Sequence, residues 1–301
     1  FFFKQKTAYE IRNCDWSSDV CSSDLDNVIR YVIAHTDPGV HNWLDTTGHP
    51  EGYIGVRWAY SDKPSENLPW STSKIVPLAE VQLLPPVERQ EVWAAGVTYL
   101  RSKTARMEES DFSATAYDKV YEAPRPEIFF KALPHKVVGP GGKVGIRRDA
   151  RWNVPEPELA LVFSAKGALV GFTIGNDMSS RDIEGENLLY LPQAKIYRDS
   201  CALGPCIALA SEAEARQWQI AIQITRRGER AFAGATQVAQ IKRSFGELAD
   251  YLFRSQEFPH GAVLLTGTGI VPPESFSLQT GDEIAITIDG IGTLPNSVHV
   301  V

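Results

Sequence analysis

Three carboxylates in the middle of the chain stand where two neighbouring strands can bring them together. Glu156 and Glu158 are two residues apart in "PEPELALV", so in a strand both side chains point to the same face. The turn "SAKGA" is predicted to return a second strand, "LVGFTIGND", which ends at Asp177. Converging carboxylates repel one another unless protons or a cation relieve them, and hard oxygen ligands suit Mg²⁺, with Mn²⁺ or Ca²⁺ as alternatives. The pattern therefore indicates a metal site.

Each of these residues also has a simpler explanation when it is taken alone. An isolated Glu-x-Glu pair is more often a solvated strand face than a pair of ligands, and Asp177 by itself suits a turn or a cap. Pro157, between the two glutamates, lacks the N–H of a ladder donor, which predicts an edge or irregular strand at this point.

The elements that must position the carboxylates are predominantly strands. Stretches of strand character recur as "EVWAAGVTYL", "PEIFFKAL", "PELALVF", "ALVGFTIG", "CALGPCIAL", "QIAIQITRR", "GAVLLTGTGIV" and "DEIAITIDGIGTL". Few helices and no regular alternation of strands with helices argue against a doubly wound sheet. The predicted fold class is therefore α+β, mostly β.

Two segments are predicted to be helical. In "SFGELADYLFRS", Ser244 and Glu247 have capping-box spacing, and an apolar face follows on Leu248, Tyr251 and Leu252. The charged, proline-free segment 101–123 suits a second helix with a break near Phe112 and Ser113.

The chain is predicted to contain two native domains after a foreign leader. Lys4 to Glu10 and Asp15 to Asp24 match, in order, the translated frames of two arms of a short-read sequencing adapter, so residues 1–25 are predicted to be non-native. The alternative is a genuine extension. Residues 26–86 read as a small, truncated N-terminal β-rich domain and linker, and residues 87–301 as the catalytic domain.

Composition excludes several classes of function. The net charge of −7, from 30 Lys and Arg against 37 Asp and Glu, disfavours a nucleic-acid partner. No apolar run approaches the roughly 20 residues that cross a bilayer, so no membrane partner is predicted. Without residues 1–25 only Cys201 and Cys206 are left of four cysteines, too few for a disulfide framework, which indicates a cytoplasmic protein.

Four ordered stretches, spanning about Val92 to Ser297, resemble successive signatures of the fumarylacetoacetate hydrolase superfamily: "PEPELALV", "GFTIGNDMSSRDIE", "LPQAKIYRDSCALGP" and "TGTGIVPPESFSLQTGDEIAITIDGIGTL". The resemblance implies a mixed β-roll fold, a homodimer or homotetramer, and a divalent metal on Glu156, Glu158 and Asp177. It also implies a small 2-oxo acid substrate whose carboxylate and keto oxygens chelate the metal.

The same resemblance implies further site residues. Lys195 in "PQAKIY" matches the family lysine, and a nearby cation disfavours an ammonium and so makes lysine a better base. Arg181 and Thr268 match positions near the substrate carboxylate, and Tyr99 is assigned to substrate binding. The alternatives are a surface ion pair for Lys195 and a structural pairing of Arg181 with Asp182 or Glu184.

The chain departs from the hydrolases of the family in one motif. Their Gly-x-Asn-Tyr-x-x-His-x-x-Glu pattern corresponds here to "GVTYLRSKTA", which puts Ser102 at the histidine and Ala105 at the glutamate. The water-activating pair is thus missing from this motif, and a water nucleophile is not needed for dehydration.

A narrower resemblance, carried by "YDKVYEAPRPEIFFKALP" and "ENLLYLPQAKIY", is to 2-keto-3-deoxy-pentonate (arabinonate or xylonate) dehydratases. It implies elimination through a metal-stabilised enolate, with Lys195 taking the C3 proton and Glu127 acting as acid or base at the C4 hydroxyl. The alternative for Glu127 is a strand-end residue paired with Arg125 or Lys131. Arg106, with Glu108 and Glu109, is assigned to a helical flap over the substrate or to a merely solvated helix.

Three hypotheses follow from these patterns. The favoured one is a dehydratase that forms 2,5-dioxopentanoate. The second is a hydrolase, isomerase or decarboxylase on another 2-oxo acid, such as an acylpyruvate. The third is a non-catalytic protein that binds a sugar acid on an enzyme-like scaffold.

Overall fold

A computed structural model of the chain describes residues 32–34, 43–45, 82–100 and 119–301. The chain divides into two units, Phe1–Gln82 and Leu83–Val301. Several predictions lie outside the described residues: the leader 1–25, most of the N-terminal domain, the break near Phe112, the residues aligned with the hydrolase pair, and the flap with Arg106, Glu108 and Glu109. The domain boundaries at residues 26, 86 and 87 stay predictions.

The described strands are, in chain order, β1 (Val32–Ala34), β2 (Trp43–Asp45), β3 (Glu91–Gly96), β4 (Glu127–Ala132), β5 (Val137–Val138), β6 (Lys143–Ile146), β7 (Asn153–Val154), β8 (Pro157–Phe163), β9 (Leu169–Asp177), β10 (Ser179–Ser180), β11 (Cys201–Ala208), β12 (Gln219–Arg226), β13 (Glu229–Gln237), β14 (Ala262–Leu265), β15 (Glu283–Ile288) and β16 (Gly292–Val300). Strands β1 and β2 pair in parallel within the first unit. The other strands belong to the second unit.

A seven-stranded mixed sheet carries the candidate site, with the strand order β4-β3-β14-β8-β9-β11-β5. Its central strands are apolar along almost their whole length because both faces are covered. Leu159 and Leu161 on β8 face one apolar cluster, whereas the alternate residues Ala160 and Val162 face another.

Of the two possibilities predicted at Pro157, an edge strand or an irregular strand, the edge strand is wrong. Strand β8 lies inside the sheet, antiparallel to β14 on one side and to β9 on the other. Pro157 is the first residue of β8, a position where a strand tolerates a missing N–H.

A five-stranded sheet, with the order β13-β12-β15-β16-β6, packs its buried side against the first sheet. Strands β12 and β15 alternate between buried and more exposed residues, which is typical of a sheet with one wet face. Ile220, Ile222 and Ile224 of β12 join Leu159 and residues of β9 in the larger apolar cluster. The main core therefore lies between the two sheets.

The described helices are short except for one. They are α1 (Arg181–Glu186), α2 (Leu191–Lys195), α3 (Glu212–Ala215) and α4 (Phe245–Phe253), with 3₁₀ turns at Pro134–Lys136, Leu188–Tyr190 and Val238–Gln240. Residues 119–122, in the segment predicted to be a second helix, are helical as well. The predicted helix α4 is confirmed. The Ser244 hydroxyl accepts a hydrogen bond from the Glu247 N–H at 3.1 Å, and Leu248 and Leu252 are buried.

The predicted α+β, mostly β class is confirmed. None of the helices in the described ranges combines the length and the apolar character that a membrane span requires.

Candidate active site

The hairpin of β8 and β9 joins the three predicted carboxylates. The Asp177 N–H donates to the Glu156 carbonyl at 3.0 Å, and Glu158 lies opposite Gly175. All three carboxyl side chains are buried, with residue exposures of 1–3%. One oxygen from each carboxylate lies within 4.8 Å of the oxygens chosen from the other two.

These separations fit the ligand shell of one hard cation. Oxygens bound at about 2.1 Å to Mg²⁺ or about 2.4 Å to Ca²⁺ lie at most about 4.2 or 4.8 Å apart. The electrostatics agree, because burial raises the pKa of Glu158 and the carboxylates of Asp177 and Glu156 raise it further. A divalent cation would relieve the repulsion that these buried groups exert on one another.

Lys195 ends helix α2 and points into the carboxylate cluster. Its Nζ donates to Glu156 Oε2 at 2.5 Å, to Asp177 Oδ2 at 3.1 Å and to the Ser179 hydroxyl at 2.6 Å. The residue is only 1% exposed. The surface ion pair considered for Lys195 is therefore wrong, because its partners are buried carboxylates.

Two more cations complete the cluster. Lys131 Nζ pairs with Asp177 Oδ1 at 2.5 Å, and Arg181 Nη2 lies 2.9 Å from Glu156 Oε1. Lys131 also donates to the carbonyls of Met178 and Lys195. Three carboxylates thus face three buried cations, so that the cluster as a whole is close to charge balance when all six groups are ionised.

The loop after β14 supplies a main-chain donor to Glu158. The Gly267 N–H donates to Glu158 Oε2 at 2.6 Å. Gly267 has a φ of +88°, and a Cβ there would overlap the Thr98 hydroxyl, which itself donates to the Thr266 carbonyl at 2.5 Å. Glycine is required at this position by both its backbone conformation and the close approach.

Tyr99 and Thr268 lie near this loop. Burial, and to a smaller extent the Glu158 carboxylate, raise the pKa of Tyr99. The Tyr99 hydroxyl has no hydrogen-bond partner among the described residues. The Thr268 hydroxyl instead exchanges hydrogen bonds with the main chain of Ile270, at 3.2 and 3.3 Å.

Glu127 begins β4 opposite Gly96 of β3. A Cβ on Gly96 would overlap Glu127 Oε2, so the carboxylate lies over the glycine. Phe129, on the same face of β4 by strand alternation, has its ring centroid 5.8 Å from Lys195 Nζ. Glu127 therefore shares the face of β4 that meets the carboxylate cluster.

The alternative pairings considered for Glu127 and Arg181 stay predictions, but other partners are seen for the cations involved. Lys131 pairs with Asp177 rather than with Glu127, and the Arg125 guanidinium stacks over the Tyr251 ring at 5.3 Å. Arg181 forms an ion pair with Glu156, a partner that the sequence argument did not name.

The structure brings Glu156, Glu158, Asp177, Lys195 and Arg181 into one buried cluster. Sequence reasoning did not assign three residues that contact this cluster to the site: Lys131, Ser179 and Gly267.

A signal existed for Lys131, because a lysine inside the apolar strand "EIFFKAL" breaks the pattern of its neighbours. Lys131 follows Phe129 by two residues and so continues the face of β4 that meets the cluster, and a register shift in the pairing of β3 with β4 falls at the same residue. The catalytic and binding roles of all these residues stay predictions.

Known proteins share this architecture. Residues 91–299 match the sequence profile of the fumarylacetoacetate (FAA) hydrolase C-terminal domain. A probable 2-keto-3-deoxyxylonate dehydratase of Haloferax volcanii is 50% identical over 217 residues, which cover 72% of this chain and 74% of the relative. The 2-dehydro-3-deoxy-D-arabinonate dehydratase of Saccharolobus solfataricus is 40% identical over 228 residues, covering 74% and 76%. A solved 2-keto-3-deoxy-D-arabinonate dehydratase, complexed with magnesium and 2,5-dioxopentanoate, aligns with a TM-score of 0.66 at 40% identity, covering 72% of this chain and 75% of that one.

Proposed function

Because the chain belongs to the fumarylacetoacetate hydrolase family, we propose that it is a metal-dependent dehydratase that converts a 2-keto-3-deoxy-pentonate into 2,5-dioxopentanoate and water. The observation that carries this proposal is the buried cluster of Glu156, Glu158 and Asp177 with the Lys195 ammonium on two of them. The dehydratase relatives supply the substrate class.

The donor set suits Mg²⁺, with Mn²⁺ or Ca²⁺ as alternatives, because it consists of three carboxylates within reach of one another. Glu156, Glu158 and Asp177 would hold the ion. When bound, a divalent cation supplies positive charge that stabilises negative charge developing on the keto oxygen of a 2-oxo acid.

Lys195 is assigned the proton at C3 of the substrate. Its Nζ is held in a defined position by Glu156, Asp177 and Ser179. As an ammonium, Lys195 cannot take a proton; a divalent cation held by Glu156 and Asp177 would disfavour the ammonium, and the neutral amine would then be the base. Fixed geometry of this kind is what makes proton transfer efficient, because the reacting groups need no further ordering.

Glu127 is assigned the C4 hydroxyl. The C3–H bond breaks toward Lys195, its electrons form the C3=C4 double bond, and the C4–O bond breaks as the hydroxyl takes a proton from Glu127 and leaves as water. The alkene then tautomerises: one hydrogen leaves C5 and one leaves its hydroxyl, C3 and C4 gain one each, and C5 becomes the aldehyde. The position of Glu127 on the cluster side of β4 supports this assignment.

Arg181, Thr268, Tyr99 and Arg106 are assigned to substrate binding, with Arg181 and Thr268 near the substrate carboxylate. Because Arg181 forms an ion pair with Glu156, we also assign it the role of orienting this carboxylate of the cluster. The Tyr99 hydroxyl, which has no hydrogen-bond partner within the described part of the chain, is available to a polar group of the substrate.

The test is to incubate the purified protein with 2-keto-3-deoxy-pentonates and Mg²⁺ and to identify the products by mass spectrometry. We expect 2,5-dioxopentanoate, whose formation stops when EDTA removes the cation. Glu156→Gln should abolish turnover, whereas Glu229→Gln, an exposed carboxylate of β13, should retain it.

The absence of this product, together with hydrolysis of an acylpyruvate, would refute the dehydratase and favour the hydrolase. Measured Mg²⁺ binding without turnover of any 2-oxo acid would favour a protein that only binds sugar acids.

We also propose a cellular compartment and an assembly state for the protein. The small number of cysteines assigns the protein to the cytoplasm, and charge and composition predict no nucleic-acid or membrane partner. The resemblance to the family assigns it to a homodimer or homotetramer. Analytical ultracentrifugation of the purified protein tests the assembly.

A further inference from the structure

Two adjacent cations, Lys242 and Arg243, bind the main chain at the ends of β3 and β4 that carry Tyr99 and Glu127. They lie just before helix α4, more than a hundred residues away in sequence. Neither belongs to the carboxylate cluster described above.

Arg243 binds the carbonyls that lead into β4. Its guanidinium donates to Ala123 O at 2.6 Å, to Val120 O at 3.3 Å and to Pro124 O at 3.4 Å, and the residue is only 7% exposed. Residues 119–122 are helical, and the last carbonyls of a helix have no partner within it. A cation at this end satisfies those carbonyls and is favoured by the helix dipole.

Lys242 contacts both the chain that follows β3 and the chain that precedes β4. Its Nζ donates to Tyr121 O at 2.7 Å and to Glu122 Oε2 at 2.8 Å, and it lies 4.1 Å from the centroid of the Tyr121 ring. Its main-chain N–H donates to Thr98 O at 3.0 Å. One residue therefore touches the chain next to Tyr99 and the chain that approaches Glu127.

The segment 241–243 is itself fixed to the core. Arg216 donates to Ile241 O at 2.9 Å and to Arg243 O at 2.7 Å, and its guanidinium stacks on the buried Phe245 at 4.6 Å. Because these contacts tie residues 241–243 to Arg216 and Phe245, the side chains of Lys242 and Arg243 start from a defined position.

The end of β3 needs such support. Val97 has a φ of 51°, a left-handed conformation that costs a β-branched residue about 1–3 kcal/mol and persists only where the surroundings enforce it. The Lys242 N–H bond to the next residue, Thr98, is one of the enforcing contacts.

We infer that Lys242 and Arg243 are positioning residues that hold Tyr99 and Glu127 in register with the carboxylate cluster. Pro124, which Arg243 binds, is three residues before Glu127, so a shift of Pro124 moves the Glu127 side chain. Thr98, which Lys242 binds, directly precedes Tyr99, so a shift of Thr98 moves the Tyr99 side chain. The catalytic consequence rests on the proposed function; the structural one does not.

The test compares Arg243→Met and Lys242→Met with two matched variants. Arg243→Lys keeps a cation at the site, and Glu247→Gln alters the other partner of Arg243, at 2.6 Å, without touching the carbonyls of residues 120–124. Hydrogen exchange by mass spectrometry reports local opening, calorimetry reports Mg²⁺ affinity, and steady-state kinetics report kcat and KM.

In Arg243→Met we expect faster exchange in residues 119–132, a fall of kcat by about 10- to 100-fold from misplaced groups, and Mg²⁺ affinity unchanged within about twofold. Lys242→Met, whose side chain is 34% exposed, should give a smaller loss of the same kind. Arg243→Lys should recover part of kcat, and Glu247→Gln should behave as wild type.

Exchange that rises equally throughout residues 83–301, or a kcat that is unchanged despite local opening, would overturn the inference. If the wild type turns over no 2-keto-3-deoxy-pentonate, the proposed function fails, and the exchange pattern alone then decides whether the two cations fix these strand ends.

Discussion

Lys131 is the buried cation whose removal tests the charge balance of the cluster most directly. The ammonium donates to Lys195 O at 2.5 Å and to Met178 O at 3.0 Å, and it forms an ion pair with Asp177 Oδ1 at 2.5 Å. Lys131→Met keeps the length of the side chain but removes the ion pair and leaves both carbonyls without this donor. Because the residue is 0% exposed, water cannot replace it without a rearrangement.

The expected cost follows from that burial. Breaking a buried ion pair by removing one partner costs about 3–5 kcal/mol, since it leaves an uncompensated charge. The unpaired carbonyls act in the same direction, but their cost is not additive with that of the charge. We therefore expect the free energy of unfolding to fall by about 3–5 kcal/mol in the absence of divalent cations.

Magnesium should reverse much of this loss. Without Lys131, three carboxylates face two cations instead of three, so that a bound divalent cation has more negative charge to neutralise. Mg²⁺ that binds only the folded state stabilises it in proportion to the logarithm of its concentration over Kd. The stabilisation by saturating Mg²⁺ should thus be larger for Lys131→Met than for the wild type.

The assay is urea unfolding with and without Mg²⁺, followed by intrinsic fluorescence, with Lys166→Met as the control. Lys166 is an exposed lysine in the turn between β8 and β9, and its replacement should change stability by less than about 0.5 kcal/mol. A Lys131→Met protein as stable as wild type without Mg²⁺ would refute the ion-pair argument. Equal stabilisation of both proteins by Mg²⁺ would refute the charge-balance argument.

Glu158 has a raised pKa, so the folded protein binds the proton of this carboxyl more tightly than the unfolded chain does. Without divalent cations, the free energy of unfolding should therefore fall as the pH rises from the ordinary pKa of 4.5 through the raised pKa. Calorimetry should also show weaker Mg²⁺ binding as the pH falls below that raised pKa, because protonated Glu158 is a poor ligand. Glu158→Gln should abolish the stabilisation by Mg²⁺. The metal-free variant should be at least as stable as the metal-free wild type. Gly96→Ala should displace the Glu127 carboxylate and lower kcat by about 10²-fold, with a melting temperature close to wild type because only the end of a flexible side chain must move. Lys195→Met should lower kcat by about 10²- to 10⁴-fold without weakening Mg²⁺ binding; weaker binding would assign Lys195 to the metal site instead.

Much of the fold was predictable because its elements have strong local patterns. The β8–β9 hairpin follows from two apolar runs around a short glycine-containing turn, and α4 from an N-cap serine and an apolar face. The helices α1, α2 and α3 are only four to six residues long, too short to show a helical period. Their existence depends on the chain around them rather than on their own sequence.

The same contrast holds at the site. Two-residue spacing and a hairpin were enough to predict that Glu156, Glu158 and Asp177 would meet, because both rules are local. The partners of these carboxylates come from elsewhere: Lys131 from β4 and Gly267 from the loop after β14. Such contacts depend on strand order in the sheet, which local patterns do not contain.

The distribution of partners over the three carboxylates explains why the two kinds of charge change should have opposite effects. Glu156 and Asp177 each have cations at 2.5–3.1 Å. Among the described residues, Glu158 has no such ion pair and accepts a main-chain N–H from Gly267 instead. Glu158 is therefore the carboxylate of the cluster that has no cation at ion-pair distance in the described part of the chain, and it is also the one with the raised pKa. A neutral side chain at residue 158 removes a buried negative charge and so stabilises the metal-free protein. Loss of Lys131 leaves Asp177 with one cation fewer and so destabilises it. Only the loss of Lys131 should make folding more dependent on Mg²⁺.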